Sequence, residues 1–136
     1  MNNKIKKNRH AYYYLRYHLV VKTEKQYPVI TGNLEKRLHE ITDNIFIQKW
    51  KCTVNNIQTA PYYIHVTFES SPQIQPSVLI NNFKTVSARL IRKEFIACLV
   101  TYSDRPFFWG DTYLLCTDGK HTEEIIRSYL DTQKAG

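Results

Sequence analysis

The 136 residues, 43% hydrophobic and 23% charged, supply one domain with a core of its own and exclude a disordered tail, a fibre or a multidomain assembly. No apolar run approaches the roughly 20 residues of a membrane span, and the polar start Met1-Asn2-Asn3-Lys4 leads into no apolar signal core, so a cytoplasmic protein is expected. With 19 Lys and Arg against 12 Asp and Glu the net charge is +7, which favours a polyanionic partner such as nucleic acid.

In chain order, a basic arm over 1–10 carries Lys4, Lys6, Lys7 and Arg9. The segment Tyr12 to Lys22 mixes aromatic and β-branched residues and reads as a strand. After a turn around Pro28 and Gly32, Leu34, Leu38, Ile41 and Ile45 recur at helical spacing. Trp50 to Ile57 and Tyr62 to Phe68 read as two neighbouring antiparallel strands. A loop through Pro72 and Pro76 follows, with Ser77 as the expected cap of a helix whose stripe is Leu79, Phe83, Val86 and Leu90. Phe107 to Thr117 reads as a fourth strand. Asp118-Gly119 then turns the chain, Thr122 caps, and Glu123 and Glu124 suit the start of a terminal helix over 120–134. The order β-α-β-β-α-β predicts an α+β, ferredoxin-like split βαβ sandwich with an antiparallel sheet, plus a C-terminal helix carrying a tyrosine, all in one domain over 1–136.

Cys52, Cys98 and Cys116 are too few and too far apart for a disulfide framework or a metal knuckle, and read as free thiols. The ten tyrosines say more, because aromatic rings beside positive charge suit unpaired bases. In Pro61-Tyr62-Tyr63-Ile64-His65-Val66, strand alternation turns Tyr63 and His65 to one face. Two imidazoles so placed would chelate one divalent ion and leave positions for a phosphate, but only one is present, and a lone strand histidine is more often structural. Tyr129 and Gln133, four apart, lie one above the other on a helix. A phenol there can attack a phosphodiester when a cation assists it, and equally can pack against Ile125 and Ile126.

Five stretches together resemble the single-tyrosine HUH transposases of the insertion-sequence-200-like group, which move DNA as single strands. Tyr17-His18-Leu19-Val20 is similar to the family's opening strand, and Pro61 to Val66 stands where the family has Pro-Asp-His-x-His. Lys84-Thr85-Val86-Ser87-Ala88-Arg89-Leu90 resembles its Lys-Gly-Lys-Ser-Ala-Arg-Leu helix, and Phe108 to Tyr113 its next strand. Ile126 to Gln133 matches the terminal Tyr-x-x-x-Gln helix. The resemblance implies that Tyr129 is the nucleophile, giving a 5′-phosphotyrosine and a free 3′-hydroxyl. It implies that His65 and Gln133 ligate Mg²⁺ or Mn²⁺. It further implies a homodimer whose sites are shared between chains, and single-stranded hairpins held by Lys84, Arg89, Lys6, Lys7 and Arg9 through salt-sensitive phosphate contacts.

Two positions of this motif depart from the pattern: Tyr62 stands where the family has its aspartate, and Tyr63 where it has its first metal-binding histidine. A neutral phenol is a poor ligand for a hard cation, so Tyr63 is a degenerate metal position. His18 and Glu69 are the side chains that could replace it. The departure keeps open a second reading, a catalytically impaired, captured transposase that binds DNA or RNA hairpins as a regulator. A third, an unrelated RNA-binding domain, lacks the Lys/Arg-Gly-Phe order of that class.

Overall fold

The computed structural model describes residues 4–132. Its frame is a four-stranded antiparallel sheet of β3 (Arg16–Thr23), β4 (Thr53–Ala60), β5 (Tyr63–Glu69) and β6 (Trp109–Thr117), in spatial order β4-β5-β3-β6. Helices α1 (Gly32–Asp43) and α2 (Pro76–Glu94) connect β3 to β4 and β5 to β6, and α4 (Thr122–Leu130) ends the fold. This is the split βαβ sandwich expected from the sequence.

Alternation in the strands divides the sheet into two chemically different faces. Leu19 and Val21 of β3 and Ile64, Val66 and Phe68 of β5 are fully buried in the core together with Leu34 and Leu38 of α1 and Leu79, Phe83 and Ile91 of α2. Burying each such side chain contributes about 1.5–3 kcal/mol, so this face carries the stability of the fold. The intervening residues, His18 and Lys22 on β3 and Tyr63, His65 and Thr67 on β5, point to the opposite face.

The structure corrects several boundaries. The arm folds into a two-stranded ribbon, β1 (Lys6–Lys7) with β2 (Tyr12–Tyr13), so the first long strand starts at Arg16 instead of Tyr12. The first helix passes into a wider π-helical segment, Asn44–Lys49, which buries Ile45 and Phe46. A short helix α3 (Ile96–Leu99) precedes β6, and Phe107 and Phe108 enter the core before the strand begins. Ser77 does not cap α2: Gln75 is the capping residue and Pro76 takes the first turn, where its missing N–H costs nothing. Thr122 is the first residue of α4, and its hydroxyl bridges the preceding turn by accepting from the Gly119 N–H at 2.8 Å and donating to the Thr117 carbonyl at 3.0 Å.

Candidate functional site

On the sheet face opposite the core, cross-strand register decides which side chains meet. Val20 lies opposite His65 and His18 opposite Thr67, so the two histidines are diagonal neighbours on adjacent strands. His18 Nδ1 is 3.0 Å from His65 Nε2, and the Thr67 hydroxyl is 3.3 Å from the former and 3.5 Å from the latter. The other nitrogen of His18, Nε2, lies 2.8 Å from Asp118 Oδ1 in the turn after β6. The hydrogen bond from His18 holds the Asp118 carboxyl below its usual range, so the carboxylate accepts and His18 Nε2 carries the proton. Burial, reinforced by the neighbouring His18, lowers the basicity of His65.

The terminal helix crosses this face. It is too short to be stable alone, and a lysine of the sheet anchors its C-terminal end. Lys22 Nζ donates to the carbonyls of Tyr129 at 3.0 Å and Thr132 at 2.9 Å, satisfying acceptors that a helix C-terminus leaves open. The same ammonium lies 4.5 Å from the centroid of the Tyr129 ring. The Tyr129 Oη is 2.8 Å from the Thr112 hydroxyl on β6. The phenol is half-buried, and that burial pushes it above its ordinary value, with the Thr112 hydrogen bond opposing. Desolvation likewise lowers Lys22.

Tyr129 therefore sits over the β3-β6 half of the sheet. Over the β4-β5 half, a cleft of about 250 Å³ opens between His65, Tyr63 and Gln58 on one side and Ile126, Arg127 and Leu130 of α4 on the other. Tyr129 does not line it.

Of the residues singled out from sequence, His65, Tyr63 and Tyr129 all lie on this face. Gln133 falls outside the described residues. His18 reaches His65, whereas Glu69 does not: it stands about 13 Å further along the strand, at 3.3 Å per residue. There it pairs with Lys6 at 3.2 Å and accepts from Asn55 at 2.9 Å. Lys6 is thus engaged within the fold, while Lys7 and Arg9 of the arm and Arg89 of α2 are exposed. Lys84 donates to the Gly110 carbonyl at 2.8 Å, and Ser87 of the same helix accepts the Trp109 indole N–H at 2.8 Å. These two motif residues tie α2 to β6 on the core side of the sheet. Lys22, Thr112, Asp118 and Arg127 were not anticipated. The only sequence signal for Lys22 is a charge ending the apolar run Leu19-Val20-Val21 on the face of His18. Among the described residues no group of three or more His, Cys, Asp or Glu is gathered to hold a metal ion, and no helix is long and apolar enough to cross a membrane.

The family described as "Transposase IS200 like" matches residues 11–133. No curated protein matches the chain. Among solved structures, a Deinococcus radiodurans protein assigned as a transposase superposes with a TM-score of 0.87 at 24% identity, covering 96% of this chain and 99% of that one. A REP-associated tyrosine transposase bound to a REP hairpin superposes with a TM-score of 0.56 at 8% identity, covering 90% of this chain and 68% of that one. Both share this fold.

Proposed function

Because the chain belongs to the IS200-like transposase family, we propose that it cuts and rejoins single-stranded DNA at hairpin-marked ends through a 5′-phosphotyrosine formed on Tyr129. The observation that carries this reading is the setting of that phenol: beneath the Lys22 ammonium, hydrogen-bonded to Thr112, outside the apolar core and on the sheet face that bears His65.

The Tyr129 Oη attacks the scissile phosphorus and its proton passes to solvent. The bond from phosphorus to the 3′ oxygen breaks, and that oxygen leaves as a 3′-hydroxyl. Rejoining is the reverse attack by a 3′-hydroxyl on the phosphotyrosine bond, so bond energy is retained and no nucleotide cofactor is needed. Because burial raises the phenol, it is protonated at neutral pH and needs positive charge beside it. Lys22 supplies one such charge within the chain. His65 and Gln133 would hold a Mg²⁺ or Mn²⁺ ion, which would neutralise charge on the phosphate. Arg127 at the cleft, with Arg89, Lys7 and Arg9, contributes phosphate contacts that weaken as salt rises. Recognition of a hairpin is supported by the fold neighbour bound to one.

The site is completed by two copies of the chain. Supporting this, the nucleophile of one chain faces β6 while the cleft at its own His65 opens over the other half of the sheet. A mixture of Tyr129→Phe and His65→Ala chains then recovers activity that neither has alone, and absence of recovery removes the shared site.

The direct test mixes purified protein with a labelled single-stranded hairpin oligonucleotide and Mn²⁺ and separates products on a denaturing gel. A covalent adduct that Tyr129→Phe abolishes is expected. Tyr63 favours a second reading, a hairpin-binding regulator without catalysis. That reading predicts a gel shift and no adduct at any Mn²⁺ concentration.

A further inference from the structure

We propose that His18 replaces the imidazole missing at position 63, so that a divalent transition-metal ion is held across two strands by His18 Nδ1, His65 Nε2 and the Thr67 hydroxyl, with Asp118 fixing the ring of His18. The assignment builds on the transposase reading only in expecting an ion at His65.

Three distances support it. Two ligand atoms about 2.1 Å from one ion and at right angles to each other lie about 3.0 Å apart. The two ring nitrogens are 3.0 Å apart, and the hydroxyl closes a triangle with edges of 3.3 and 3.5 Å. That is close to one face of an octahedron, with the remaining positions open to water or a phosphate oxygen.

The tautomer agrees. A metal-bound histidine commonly donates its other N–H to a carboxylate, which fixes the ring and strengthens it as a ligand. His18 Nε2 makes such a bond to Asp118 at 2.8 Å, leaving Nδ1 as the nitrogen beside His65 Nε2. Burial adds a reason for the arrangement: the His18 side chain is only 11% exposed and Thr67 is buried, so polar atoms are concentrated where an unpaired one is costly. The strand pairing does the work that spacing within one strand does in a His-x-His motif. Position 63 is thereby free to carry a phenol.

Donor chemistry sets the ion class. Two imidazoles and one hydroxyl favour Mn²⁺, Co²⁺ or Zn²⁺ over Mg²⁺, which prefers oxygen donors and retains its water. The test titrates the full-length chain, without DNA, with Co²⁺, following its visible absorption and the heat of binding. The wild type binds one ion per chain, and binds Mg²⁺ far more weakly. His18→Asn lowers Co²⁺ affinity by at least tenfold. Asp118→Asn, at a side chain 42% exposed and outside the core, lowers it by about 10–100-fold with the circular dichroism spectrum unchanged. Absence of Co²⁺ binding to the wild type overturns the proposal and leaves an imidazole–imidazole hydrogen bond. Wild-type affinity in His18→Asn overturns it equally. Because the titration contains no DNA, it is independent of the hairpin assay: Co²⁺ binding together with no covalent adduct in that assay sustains this site while removing the transposase reading. An adduct formed by a chain that fails to bind Co²⁺ does the converse.

Discussion

Replacing Lys22 with Met tests how the tyrosine helix is held. Lys22 is 9% exposed and joins the sheet to α4 through two charge-assisted hydrogen bonds, at 3.0 and 2.9 Å, and through the Tyr129 ring. Hydrogen bonds to charged groups contribute about 1.5–3 kcal/mol each, and a cation over an aromatic face about 0.5–2 kcal/mol. Methionine retains the apolar stem but none of these contacts. Part of the loss is offset because the buried ammonium no longer has to be desolvated, leaving a net cost of about 3 kcal/mol. A nine-residue helix has no stability of its own to absorb that cost. The loss therefore appears as local opening of α4, at about tenfold per 1.4 kcal/mol. Hydrogen–deuterium exchange of a peptide covering 122–132 is expected to quicken by about 100-fold, while peptides of β3 and β5 away from position 22 keep their protection. Unchanged exchange in α4 would refute the claim that this lysine anchors the helix.

Phe83 is fully buried between Phe46 and Trp109, with ring centroids at 5.3 and 5.9 Å, and Phe83→Ala should cost about 3–5 kcal/mol in urea unfolding. A loss below about 1 kcal/mol would show that the two helices do not share this core. Tyr129 titrates above its ordinary value in the folded chain, so at high pH the folded state binds more protons than the unfolded one, and stability contributed by this group falls as pH rises from about 10. The stability advantage of the wild type over Tyr129→Phe should therefore shrink between about pH 9 and 11, and a constant difference would contradict the assigned burial. Tyr63→His adds a third imidazole to the face that already bears His18 and His65, and calorimetry should show Mn²⁺ affinity raised by about tenfold or more. Equal affinity would mean that position 63 does not face the ion.

The architecture was legible because periodicity carries it. Alternation in Ile64 to Phe68, and the helical stripes of α1 and α2, each separate a core face from a polar face, whereas Leu19 to Val21 is apolar on both faces. The short elements were not legible. The ribbon of β1 and β2 and helix α3 have too few residues for a pattern, and the caps at Gln75 and His121 depend on where the chain enters the helix. Within the site, the side-by-side placement of Tyr63 and His65 follows from strand geometry alone. The meeting of His18 with His65 does not, because it depends on the register of strands 47 residues apart. Asp118 read only as a turn residue, and Lys22 as the polar end of a strand, because their partners are 100 or more residues distant. Lys84 reads from the sequence as a contact to hairpin phosphates, whereas the fold turns it onto the Gly110 carbonyl.

The central claim is that one of ten tyrosines becomes bonded to DNA. Mass spectrometry of the protease-digested adduct, formed with a single-stranded hairpin and Mn²⁺, identifies which. The account predicts the nucleotide on the peptide that follows Arg127, attached to Tyr129 through a 5′ phosphate. A nucleotide on Tyr63 or any other tyrosine, or a bound hairpin that never becomes covalently attached, would contradict it.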